Sequence, residues 1–266
     1  HNEALLLVPT LFKENGYDVT VTDSSWANFQ WVPDLSIYDG TGINAYRTIT
    51  EYTDLWLDEH PELIGTNLKE TLMQRNFIWY SLLKTMPTVF RDTIYNDGFY
   101  WNTNKSSKDL QATVNNYAVL DYLPRLTDFS ATENTYTYIV NELTHEPAFM
   151  QAPDYTPSTN ITDYGEGPYS KDVDYHANIC ALNKLGILFD YLKENNVYDN
   201  TRIIIVSDHA FGVSTTLFSE KYPIDAVTFN PLLFVKDFNS SGQLKISDEF
   251  MTNADVPALS VDGLIS

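Results

Sequence analysis

Cysteine is nearly missing from this chain. Cys180 is the single thiol in 266 residues, which excludes an internal disulfide framework and any multi-cysteine metal site. Bases are scarce as well: 16 Lys and Arg stand against 36 Asp and Glu, a net charge of −20. A field of that sign repels phosphate backbones and anionic headgroups, so no nucleic-acid partner is expected. Long apolar runs are absent too. The longest candidates, Leu5–Val8 and Ile203–Val206, fall far short of the roughly 18 residues that suggest a membrane span. No signal peptide, internal repeat or low-complexity tract is visible. The chain enters an apolar run directly from His1, which reads as a piece of a longer protein with any membrane anchor or leader upstream.

What remains is a chain that is 43% hydrophobic, enough for one large core or two small ones. Leu5, Leu6, Val8, Leu11 and Phe12 form a helical apolar face closed by Asn15-Gly16, with Pro9 as the one blemish. Tyr17–Asp23 alternates as a strand does, and Thr135–Leu143 is strand-like by its β-branched and aromatic content. Between them the pattern loosens. Residues 68–89 read as a helix, and about 36–134 as an insertion or lid-like region. Tyr175, Ile179, Leu182, Gly186 and Phe189 recur at helical steps within 172–195. Arg202–Ser207 is a continuous apolar run of the kind buried inside a parallel sheet, and Pro231–Val235 resembles it. Strands alternating with helices imply an α/β fold, a mainly parallel central sheet with helices on both faces.

The sharpest chemical signal is Asp208-His209 at the end of that apolar run. In open α/β sheets function gathers at the carboxyl ends of strands, and an acid beside an imidazole offers an oxygen and a nitrogen to one divalent cation. The same dipeptide also serves simply to cap a helix or bond nearby backbone.

Tyr198–His209, following the helix that ends at Asn195, resembles the "xDNTxxxxxSDHG" segment of the alkaline-phosphatase/sulfatase superfamily. Asn141–Phe149 is similar to the strand-end "SNHxPF" segment of lipoteichoic-acid-synthase-type phosphoglycerol transferases, with His145 at the histidine position. Leu11–Trp31 and Met251–Leu259 resemble two further family stretches. The resemblance covers roughly residues 1–35 and 135–266. It implies an alkaline-phosphatase-like domain, a single fragment over 1–266 that is incomplete at both ends. Asp208 and His209 would bind one divalent cation, manganese, or calcium in a sulfatase. His145 would contact the substrate phosphate as a catalytic residue in the same pocket, and Trp26 and Trp31 would wall it.

The implied function is a metal-dependent transferase or hydrolase of phosphate esters, membrane-anchored upstream and working on the extracytoplasmic face of a bacterial membrane. Its substrates would include a glycolipid or glycerophospholipid. A sulfatase acting on sulfate esters and a degenerate binding or scaffold module are the alternatives. Three positions depart from the family pattern: Asp23 and Asn253 stand where it has His, and Ala210 where it has Gly. No residue fits the family's nucleophile, which is therefore expected upstream of His1.

Overall fold

A computed structural model describes residues 1–61, 73, 75–96, 100, 105–145, 149–158, 161–167, 169–170, 172–210 and 229–265. The fold is α/β. It divides into two compact units, His1–Leu188 and Phe189–Ser266.

The first unit is organised by a three-stranded parallel sheet in the order β2-β1-β3, with β1 Asp18–Thr22, β2 Asn44–Tyr46 and β3 Thr135–Tyr138. Central β1 hides Val19 and Val21 completely, and the flanking strands are largely exposed. Helix α1 (Asn2–Glu14) packs on β1 and stacks Phe12 on Tyr136 with ring centroids 4.2 Å apart. It runs unbroken through buried Pro9 and stops where Gly16 adopts φ +84°, a left-handed cap that glycine takes without strain.

After β2 come α2 (Thr53–Glu59), a π-helical turn over Arg75–Trp79, α3 (Tyr80–Thr85), α4 (Thr88–Tyr95) and α5 (Lys105–Leu126). The helix expected over 68–89 thus breaks at Met86-Pro87 and restarts as α4, because the proline ring disfavours helical backbone in the residue before it and Met86 is extended at ψ 146°. Its residues 68–72 and 74 lie outside the described residues. The 36–134 stretch, read as an insertion or lid, places β2 in the sheet and α5 in the core. Leu110, Val114, Tyr117, Ala118, Leu120 and Leu123 of α5 pack with Trp56, Leu143 and Met150 and with Cys180 of α6 (Val173–Glu194). A short antiparallel pair, β4 (Met150–Gln151) with β5 (Thr156–Pro157), completes the described strands of this unit.

Within α6 the expected stripe is rotated. Ala177, Cys180, Leu185 and Leu188 face the core, and Leu182 is exposed. The helix is apolar around much of its circumference, so spacing alone allowed either face.

The second unit carries the end of α6, β6 (Ile203–Val206), β7 (Leu233–Lys236) and α7 (Val256–Val261). Here the structure corrects the sequence reading. Instead of lying inside a parallel sheet, β6 pairs antiparallel with β7, Ile203 opposite Lys236 and Val206 opposite Leu233. Its isoleucines are half-buried and Val206 is exposed. An apolar run reports burial but carries no information on the direction of the neighbouring strand. Arg202, just before β6, binds Asp237 at 3.0 Å and the carbonyls of Leu259 and Asp262, tying strand to helix.

Candidate functional site

In the first unit, two loops leave the carboxyl ends of adjacent parallel strands. The chain passes from β1 to β2 on one side and returns to β3 on the other, so β1 and β3 flank a reversal of strand order, where open α/β sheets bind ligands. The loop after β1 begins with Asp23, buried at φ +47°. Its carboxylate accepts from Thr48 N at 3.1 and 3.0 Å, from the Thr48 hydroxyl, and from Ile49 N at 3.3 and 3.4 Å. Asp23 is therefore the clasp that holds the chain beyond β2 against the end of β1. Beside it, Ser24 Oγ lies 2.8 Å from Tyr38 Oη, and burial raises that phenol above its usual pKa. Thr22 has a buried hydroxyl with no hydrogen-bond partner among the described residues.

The loop after β3 carries His145, exposed, in a turn closed by its own N–H on Glu142 O at 3.0 Å. Asn116 of α5 fixes that loop. Its Oδ1 accepts from Glu142 N at 2.9 Å, and its carbonyl accepts from Asn141 Nδ2 at 3.0 Å. Trp26 and Trp31 sit on the β1 loop in edge-to-face contact at 5.4 Å, both exposed. A depression of 310 Å³ lined by Lys13, Gly16, Tyr17, Asp18 and Glu133 opens instead at the amino ends of β1 and β3. That edge is opposite to the one that carries His145, and none of the site residues expected from the sequence lines it.

In the second unit Asp208 and His209 leave the end of β6. Their side chains are 89% and 56% exposed, with His209 Nε2 3.7 Å from Asp208 Oδ2. Two donors bound to one cation at about 2.1 Å each lie about 3.0–4.2 Å apart, so the pair fits a single ion. On the other side of the ring, Nδ1 lies 3.1 Å from Ala210 O, which holds the imidazole in place. Asn253 stands behind the pair, its Nδ2 donating to Ser207 O at 3.1 Å and Asp208 O at 2.8 Å. A capping box between Thr252 and Asp255 sets the short helix Asn253–Asp255 that aims this amide. Among the described residues no group of three or more His, Cys, Asp or Glu side chains is assembled for a metal. His145 belongs to the first unit and the Asp208-His209 pair to the second.

No family model matches the chain, and neither a curated protein nor a solved structure matches it.

Sequence reasoning missed the roles of Asn116 and Asn253. Asn116 could have been found as a polar residue flanked by Val114, Tyr117 and Ala118 on a buried surface, where an amide must find partners. Cys180 takes no part: burial pushes its thiol up to about 12, so it stays protonated and weakly nucleophilic. No helix among the described residues is long and apolar enough to cross a membrane.

Proposed function

We propose that the chain is part of a metal-dependent transferase or hydrolase of the alkaline-phosphatase/sulfatase type, acting on phosphate esters in the manner of phosphoglycerol transferases. The observation that carries this reading is the exit of β6, where His209 Nε2 lies 3.7 Å from Asp208 Oδ2, a separation one cation can bridge. Asp208 and His209 would hold one divalent cation, manganese on this reading and calcium on a sulfatase reading. When bound, such a cation neutralises charge on phosphoryl oxygens and lowers the pKa of a coordinated hydroxyl. Asn253 keeps the strand exit in place by donating to both carbonyls. His145, presented by the loop that Asn116 pins, is assigned to donate to a phosphoryl oxygen. The attacking hydroxyl is assigned to sequence preceding His1. The ester is one carried by a glycolipid or glycerophospholipid, handled by a protein anchored at the extracytoplasmic face of a bacterial membrane.

One observation favours a second reading, a catalytically silent binding module. Asp23 stands where the family pattern has a pocket His, and its carboxylate is taken up by Thr48 and Ile49.

The deciding assay is turnover of an aryl phosphate with manganese, by the 266-residue chain and by a version extended into the residues before His1. Manganese-dependent turnover is expected only with the extension, and His145→Ala should lower it about 10²-fold. Turnover by the shorter chain that Asp208→Ala abolishes would place the nucleophile inside it. An extended protein that binds metal but turns nothing over would select the silent module.

A further inference from the structure

The loop after β1 exposes large apolar side chains in a row: Trp26 at 49%, Phe29 at 70%, Trp31 at 81% and Val32 at 54%. A side chain that packs nowhere usually sits on a mobile tip, and this loop is held. Asn28 is its hub. Its Nδ2 donates to Asp34 Oδ2 at 3.0 Å and Ser36 Oγ at 3.1 Å, its Oδ1 accepts from Asn2 Nδ2 at 2.8 Å, and its backbone N–H donates to Asn2 Oδ1 at 3.0 Å. Trp26, Asn28 and Phe29 all adopt left-handed backbone, at φ 60°, 54° and 57°. Non-glycine residues persist there only where surrounding bonds over-determine them, and here that conformation keeps the rings outward.

We propose that this loop is a rigid aromatic wedge that inserts into the interfacial region of an uncharged, zwitterionic lipid bilayer. Three observations favour that occupant. Two local polar groups that could bond a sugar, the Asn28 amide and the Asp34 carboxylate, are used in holding the loop, which leaves only the Gln30 amide exposed between the rings. Trp26 and Trp31 cross at 79°, which makes an edge for entering the headgroup layer and no flat platform for a pyranose ring. No Lys or Arg occurs between Lys13 and Arg47, and the chain carries −20, so attraction to anionic lipid does not contribute. Indole and phenyl rings concentrate at the membrane–water boundary, and a pre-organised loop loses little entropy on entering it. The wedge does not depend on the phosphate-ester chemistry above, although it lies at the edge of the sheet from which the His145 loop also leaves.

The test is co-sedimentation with phosphatidylcholine vesicles, with tryptophan quenching by brominated phosphatidylcholine as the readout of insertion. The wild-type chain should sediment and be quenched. Trp26→Ala/Trp31→Ala should weaken binding at least about tenfold, and Trp31→Ala alone should weaken it by less, both with unchanged circular dichroism. Adding phosphatidylglycerol should weaken wild-type binding at low salt. The proposal is overturned if the wild type ignores phosphatidylcholine, or if the double variant binds as well as wild type. It is also overturned if phosphatidylglycerol is required, if the substitutions change only self-association, or if they change only retention on a glycan column.

Discussion

Asn253 donates one amide group to two successive carbonyls at the exit of β6, and its chemistry separates two roles. As a positioning residue it must donate; as a metal ligand it would need only an oxygen. Asn253→Asp keeps the shape and removes the donor, setting a carboxylate against the carbonyls of Ser207 and Asp208. The expected result is manganese affinity about tenfold weaker, the usual scale for losing an outer-shell partner, with Asn253→Ala similar. Tighter binding in Asn253→Asp would show a ligand instead. The place of Asp208 and His209 at a strand exit was legible because the apolar run ends beside them. The orientation of the His209 ring was not, since it depends on where a turn aims the Ala210 carbonyl. Trp26 and Trp31 were legible as aromatics near a strand end, but their exposure depends on the Asn28 hub, whose partners are up to 26 residues away in sequence.

At the scale of elements, α1 and β1 were readable because each shows one clear period with a stop signal, and α6 was readable as a helix but not in the face it buries. Helix α5 was not. Leu110, Val114, Tyr117, Val119, Leu120 and Tyr122 are all buried and surround the helix, which leaves no one-sided stripe to recognise. Its attachment to α2 makes a testable joint. Glu59 accepts from Tyr122 Oη at 2.7 Å and pairs with Arg125 at 2.9 Å. The Tyr122 hydrogen bond, then that of Arg125, holds the Glu59 carboxyl below its ordinary 4.5. A depressed carboxyl stabilises the fold above its unfolded value and loses that contribution as pH falls through its folded value. Glu59→Gln should therefore lower the melting temperature at neutral pH, and the gap to wild type should close progressively below pH 4.5. A gap that is independent of pH would assign the effect to packing.

For the whole molecule, composition allowed one large core or two small ones, the family resemblance implied a single domain over 1–266, and the structure divides into two compact units. Three described strands of the first unit are parallel, whereas β6, expected inside a parallel sheet, has an antiparallel partner that its apolar run did not reveal. The charge of −20 matters most at this scale, because a strongly acidic surface collects divalent ions loosely wherever carboxylates crowd. A claim of one specific site must rise above that background. The most direct measurement is a manganese titration followed by the paramagnetic resonance of free Mn²⁺, run in 0.15 M salt on wild type and His209→Ala. Removing an imidazole leaves the net charge and the diffuse binding as they were. The account expects one site that is present in wild type and missing from His209→Ala, over a shared weak background. Superimposable curves would contradict it and return Asp208 and His209 to the role of an ordinary strand exit.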